Sequence, residues 1–243
     1  MIVLFTDFGV TGPYTGQMSA VLMQQAPTVP VVSLMADAPA MNPKASSYLL
    51  AAHDGPFPKG SVFLCVIDPG VGSVRTPVIL LADGCYYVGP NNGLFSQVVR
   101  QARQATAWEI TAIPENVSAT FHGRDIFAPI AAHLANGNKP EGNLIDSTTL
   151  DRKSWKTDPA EIIYVDAYGN LMTGQRATVS RRTRDSEWNG ITIKAARTFS
   201  DVHPGDAIYY ENSNGLMEIA VRDGSAAQLF NAGIGTPCPD LTE

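Results

Sequence analysis

The chain's 243 residues suffice for one large domain or two unequal ones, and a net charge of −6 without a basic run argues against a nucleic-acid backbone as partner. Its charged fraction of 16% lies below the usual ~25%, which points to much buried surface, and no apolar run reaches the ~18 residues of a membrane helix. Three cysteines, Cys65, Cys85 and Cys238, fit neither a disulfide framework nor a zinc site.

In chain order, Met1 to Asp7 lacks a positive segment and reads as a first strand, Ile2 to Phe5, rather than a signal peptide; a cytoplasmic location is the expectation. The strand ends at Thr6-Asp7-Phe8-Gly9. Tyr14 to Gln25 has helical periodicity, closed by Pro27 and Pro30. Val29 to Leu34 is a second strand, Pro39 to His53 a second helix, and Ser61 to Ile67 a third strand. This alternation predicts a mainly parallel sheet covered on both faces. Val78 to Leu81 and Cys85 to Val88 follow as a hairpin, then a helix from Leu94 to Ala102, a strand from Trp108 to Thr111 and a helix from Ile126 to Ala135.

Asn136 to Lys156 is polar and reads as a loop at a domain boundary, between an α/β domain over 1–145 and a smaller one over 158–243. In the second, short runs of strand character (Ile162 to Val165, Leu171 to Thr173, Thr178 to Val179, Gly190 to Ile193, Ala207 to Tyr210, Met217 to Val221) predict a small β-barrel or sandwich.

The residues with chemistry cluster in turns. Asp68-Pro-Gly-Val-Gly follows a buried strand, and Arg75 comes seven residues after Asp68. The segment is either a plain turn or a site at the end of a strand, where open α/β sheets bind ligands. Asp7 is either a cap or a carboxylate for a ribose diol. His122, in Phe121-His-Gly-Arg-Asp125, is either structural or functional. No His pair has metal-ligand spacing, so no metal is expected, and without a G-x-S-x-G elbow an α/β-hydrolase nucleophile has no support. Asp166-Ala-Tyr-Gly-Asn170 and Asn212-Ser-Asn-Gly215 are hairpin turns or polar ligand contacts.

Taken together and in order, Thr6-Asp-Phe-Gly9, Asp68-Pro-Gly-Val-Gly-x-x-Arg75, Val88-Gly-Pro-x-Asn-Gly93, Phe121-His-Gly-Arg-Asp125, Asp166-x-Tyr-Gly-Asn170 and Asn212-Ser-x-Gly215 resemble the S-adenosylmethionine hydroxide adenosyltransferases, relatives of the fluorinase and chlorinase enzymes. The resemblance implies an N-terminal α/β domain and a C-terminal β-barrel. It also implies a homotrimer with each site between two subunits, and attack of water at the ribose C5′ of S-adenosyl-L-methionine, giving adenosine and methionine without a cofactor. Asp68, Arg75 and His122 take the catalytic positions. Asp7, Phe8 and Asn92 map to the substrate from the N-terminal domain. Asp166, Tyr168, Asn170, Ser213 and Glu218 do so from the C-terminal domain, and the Arg222 to Ala227 segment, with Arg222 and Ala226, resembles the part whose backbone meets adenine. The sequence departs from the family in lacking a His between Ala36 and Asn42, and in having Asn42, Asn91 and Tyr168 where Asp, Asp and Phe are frequent.

The chemistry is self-consistent. A sulfonium leaves as a neutral thioether, so neither an acid nor a metal is required. Pairing with Arg75 would weaken Asp68 as a base, which leaves His122, with an ordinary pKa of ~6.5, as the candidate proton acceptor. A carboxylate beside the nucleophile disfavours a halide, the sister reaction. The alternatives are halide alkylation and a sensor that binds S-adenosylmethionine without turnover.

Overall fold

A computed structural model of the chain describes residues 1–53, 55, 57–177 and 184–241. It divides into two compact units, Met1–Lys153 and Ser154–Glu243.

The first unit contains strands β1 (Ile2–Thr6), β2 (Val31–Met35), β3 (Val62–Val66), β4 (Pro77–Ala82), β5 (Cys85–Pro90), β6 (Ala105–Glu109) and β7 (Asn143–Ile145). Its helices are α1 (Tyr14–Gln25), α2 (Pro43–Ala52), α3 (Ser96–Gln101) and α4 (Ala128–Ala135). The seven strands form one sheet in the order β2-β1-β3-β5-β4-β6-β7. The β2-β1-β3-β5 half is parallel, and the other three pairings are antiparallel. The wholly buried runs of β1 and β3 are what a strand covered on both faces requires. Helix α1 packs with α4, and α2 with α3. The core between α1, α4 and the sheet gathers Leu4, Met18, Leu22, Leu64, Ile126 and Phe127.

The chain leaves β1 for β2 on one side of the sheet and returns to β3 on the other. The strand order therefore reverses between β1 and β3, and ligands favour the crevice at such a point. Thr6 pairs with Val66, so the next residues, Asp7 on one strand and the Ile67-Asp68 step on the other, leave the sheet side by side.

The second unit contains β8 (Ile162–Val165), β9 (Leu171–Arg176), β10 (Ser186–Trp188), β11 (Ile191–Ala195), β12 (Ala207–Glu211), β13 (Leu216–Val221) and the short helix α5 (Ala226–Leu229). Its sheet runs β10-β11-β12-β13-β9-β8. Among the described residues this is a half-barrel with β10 and β8 at its two ends. The expected strand at Thr178 to Val179 lies outside the described residues.

Several expectations change, among them the strand expected at Trp108 to Thr111, which starts three residues earlier as β6, Ala105–Glu109. The polar stretch read as loop contains β7, which pairs with β6 at the sheet edge, and a 3₁₀ turn, Ser147–Leu150. Three strand residues carry too little periodicity to stand out; pairing with β6 supplies the order. The second helix begins at Pro43 rather than Pro39, because the Asn42 side chain accepts a hydrogen bond from Ala45 N at 3.0 Å and caps it there. Asn42 thereby fills the capping role that an Asp would fill.

Candidate active site

The loop after β3 is folded by its own backbone. Val71 N donates to Asp68 O at 3.2 Å and Ser73 N to Gly70 O at 3.0 Å, two turns that double the chain back. Arg75 thus faces Asp68. Its Nε donates to Asp68 Oδ1 at 2.9 Å, and its Nη2 pairs with Asp68 Oδ2 in a bidentate fork. The same Nη2 lies 2.8 Å from His122 Nδ1. The pair is nearly inaccessible, with side-chain exposures of 8% for Arg75 and 5% for Asp68. Asn92, expected at the substrate, donates from Nδ2 to Ile67 O at 2.8 Å and accepts from Leu94 N at 3.2 Å. One end of its amide thus braces the chain beside Asp68, and the other closes its own turn at Leu94.

Asp68 and His122 line a cavity of about 210 Å³ with Asp7, Phe8, Met41 and Phe121. Arg75 joins the two residues without being part of that lining. Asp7 accepts from Met41 N at 2.8 Å. Burial, with Asp68 nearby, raises the Asp7 pKa above its usual value, against the opposing Met41 hydrogen bond. Phe8 meets Phe121 edge to face, with centroids 5.7 Å apart. The two carboxylates outnumber the one guanidinium, so this cavity favours a cation.

The geometry decides the state of His122. A guanidinium has no acceptor, so Arg75 donates and Nδ1 must accept; the ring proton is on Nε2. Burial and then the Arg75 charge lower the His122 pKa, against the pull of Asp68 and Asp125. A neutral ring whose lone pair is already occupied is a poor proton acceptor. In this arrangement His122 offers an N–H donor at Nε2 rather than a free lone pair at Nδ1.

In the second unit, Asp166, Tyr168 and Asn170 line a cavity of about 530 Å³ with Phe199, Val221, Asp223 and Gly224. Asp166 Oδ1 accepts from Tyr168 N and Asn170 N, both at 2.9 Å, and Oδ2 accepts from Asn170 Nδ2 at 2.9 Å. The carboxylate thus builds its own turn and still borders the cavity. Tyr168 presents an exposed ring there.

The remaining expected contacts sit elsewhere in this unit. Glu218 is buried and accepts from the Tyr210 hydroxyl and, at 2.9 Å, from Asn212 Nδ2. Burial and this carboxylate hold the Tyr210 hydroxyl far above its usual pKa. Asn212 Oδ1 accepts from Asn214 N and Leu216 N, shaping the turn on which Ser213 is exposed. Arg222 Nη1 donates to Val202 O, and Ala226 is buried at the start of α5.

Sequence reading missed Met41, whose positive φ of 54° carries no compositional mark, and Phe199, in a segment without periodicity. Val221, Asp223 and Gly224 adjoin or lie within the Arg222 to Ala227 segment and were within reach of it. Among the described residues, no group of three or more His, Cys, Asp or Glu is placed to hold a metal ion, and no helix is long and apolar enough to cross a membrane.

Comparison with known proteins adds independent findings. The family models described as SAM hydroxide adenosyltransferase N-terminal domain and C-terminal domain match residues 2–143 and 160–238. A protein of Thermus thermophilus named (R)-S-adenosyl-L-methionine hydrolase is 36% identical, over 97% of this chain and 97% of its own. One of the same name from Salinispora tropica is 32% identical over 95% of this chain and 93% of its own. A fluorinase of Nocardia brasiliensis is 24% identical over 97% of this chain and 94% of its own. A crystal structure of a conserved protein from Thermotoga maritima superposes with a TM-score of 0.86 at 29% identity, covering 98% of this chain and 100% of that one.

Proposed function

The chain belongs to the S-adenosylmethionine hydroxide adenosyltransferase family, and from that premise we propose that it is a hydrolase of S-adenosyl-L-methionine, forming adenosine and methionine. The observation that carries this reading is the joining of Asp68 and His122 by Arg75 at the wall of a cavity that also holds Asp7.

Water attacks C5′ opposite sulfur. A C–O bond forms, the C–S bond breaks with its electrons passing to sulfur, and one water proton is released. Asp68 and His122 are the catalytic residues. Each Asp68 oxygen keeps a lone pair beyond its bond to Arg75 and accepts from the water. His122 Nε2–H donates to the water's oxygen or to the ribose. Arg75 is a positioning residue that acts through both. The attacking water becomes a protonated alcohol, a strong acid, so a weak carboxylate base suffices once the C–O bond has formed. Holding water and C5′ in line supplies the rest, up to ~7–11 kcal/mol in ideal systems.

While the Asp68 charge is balanced by Arg75, Asp7 takes the ribose diol and offsets the sulfonium charge. Phe8 flanks it. Asp166 takes the ammonium of the methionine end together with Ser213. Tyr168 and Asn170 meet the nucleoside, and Arg222 and Ala226 lie in the segment near adenine. Asn92 and Glu218 act by bracing the backbone on which these groups stand. A carboxylate at the nucleophile's side, Asp68, supports water over a halide.

The relatives' names specify the R configuration, which in this compound is the sulfonium centre, and we extend that preference to this chain. The reading carries with it a homotrimer with sites shared between subunits and a cytoplasmic location. Three thiols without a disulfide support the latter.

Incubation with the separated sulfonium epimers in ¹⁸O-water tests the reading. We expect methionine and 5′-labelled adenosine, formed faster from the R epimer. Binding without product favours the sensor, and product that requires chloride favours halide alkylation.

A further inference from the structure

Arg75 has a third restraint besides its bonds to Asp68 and His122. Its guanidinium carbon stands 5.4 Å from the centroid of the Phe127 ring, and Phe127 is fully buried. Hydrogen bonds to Asp68 and His122 fix the guanidinium within its plane. The guanidinium carbon stands over the Phe127 ring, whose face attracts the cation and so adds a restraint that the two hydrogen bonds do not supply.

We propose that Phe127 is the positioning residue that sets the tilt of Arg75, and that the wide helical turn Gly123–Phe127 brings Phe127 and His122 to the same guanidinium. In an α-helix, side chains five residues apart point roughly 140° away from each other, given 3.6 residues per turn. Here Ala128 N bonds back to Gly123 O, an i→i+5 closure that stacks positions five apart one above the other. Pro129 explains the winding. It has no N–H for the Asp125 carbonyl, and its ring crowds that carbonyl in an α-turn. The Asp125 carboxylate anchors the turn by accepting from Ser118 N at 2.8 Å. Gly123 lets it seat on α1, since a Cβ there would lie 3.0 Å from Met18 Sδ.

The activity arm of the test rests on the hydrolase reading, and the spectroscopic arm does not. Arg75, Asp68 and Asp125 are the charged groups that act on His122. Phe127→Leu keeps an apolar side chain but removes the face. Pro129→Ala restores an N–H that favours α winding. For both we expect kcat to fall about tenfold with KM within about twofold. We also expect the NMR titration of His122 to move to higher pH, as Arg75 leaves its Nδ1. Pro129→Ala should keep its melting temperature within a few degrees, which separates positioning from stability. An unchanged His122 titration in both variants overturns the proposal, as does an unchanged kcat in Pro129→Ala if its His122 titration moves. If the unaltered protein shows no turnover, the hydrolase reading fails while the His122 titration still decides this one.

Discussion

A Cβ placed on Gly72 would stand 2.8 Å from the carbonyl oxygen of Ala119. This contact seats the Asp68–Arg75 loop against the segment that leads into His122, and it is the backbone counterpart of the Arg75–His122 bond. Gly72 also has a φ of +77°, in the region that side chains disfavour. Gly72→Ala meets both penalties. We expect a stability loss of about 1–3 kcal/mol and a fall in kcat of about tenfold or more, read from chemical denaturation and steady-state kinetics.

Asp68→Asn removes the charge but keeps one acceptor for Arg75. Turnover should fall at least about a hundredfold with the dissociation constant for S-adenosylmethionine nearly unchanged, measured by calorimetry beside single-turnover assays. Unchanged turnover would sink the proposed roles of all three residues. The variant should also lose stability, because a buried guanidinium is left short of countercharge.

Asp7 opposes folding in its ionised form. Its pKa is raised in the folded chain, chiefly by burial, so the native state holds the proton more tightly than the unfolded one. The relative stabilisation is full below the unfolded value of ~3.9 and is lost as pH rises through the raised native value. Asp7→Asn should therefore be more stable than the unaltered protein near pH 7, by a few degrees in melting temperature, with the difference shrinking as pH falls through that window. The same substitution should raise KM, and in the unaltered protein KM should rise as Asp7 protonates. Thermal scans and KM measured across pH check both signs.

The proposed sharing of sites between subunits predicts complementation. Asp68→Asn and Asp166→Asn should each be inactive, one through the N-terminal and one through the C-terminal part of the proposed site. Co-refolding the two inactive proteins should restore activity if one subunit supplies Asp68 and another Asp166. A monomer by light scattering, or a mixture as inactive as its parts, would remove the trimer from the reading.

Several features were legible because they are written in short stretches of chain. Helix α1 has the bounds that periodicity indicates, Tyr14–Gln25. The Pro-Gly run after β3 marks the turns, and seven residues bring Arg75 back to Asp68. Asn92 was legible as a polar group near the site, but whether its amide meets substrate or Ile67 is not a local property.

By itself the sequence determined the strand–helix alternation of the first unit, the strand-rich second unit, and the residue types needed to move a sulfonium's carbon onto water. Periodicity, turn chemistry and capping act over a few residues, so they survive in a one-dimensional reading. Only the tertiary structure decided that His122, 47 residues from Arg75, spends its Nδ1 lone pair on the guanidinium, and that Phe127 rises to the same group through a widened turn. Hydrogen-bond partners are chosen through space, after sheet order and helix packing have brought distant segments together. The protonation state of a side chain follows from that choice, which is why the chemistry was readable in outline and the hydrogen-bonding state of His122 was not.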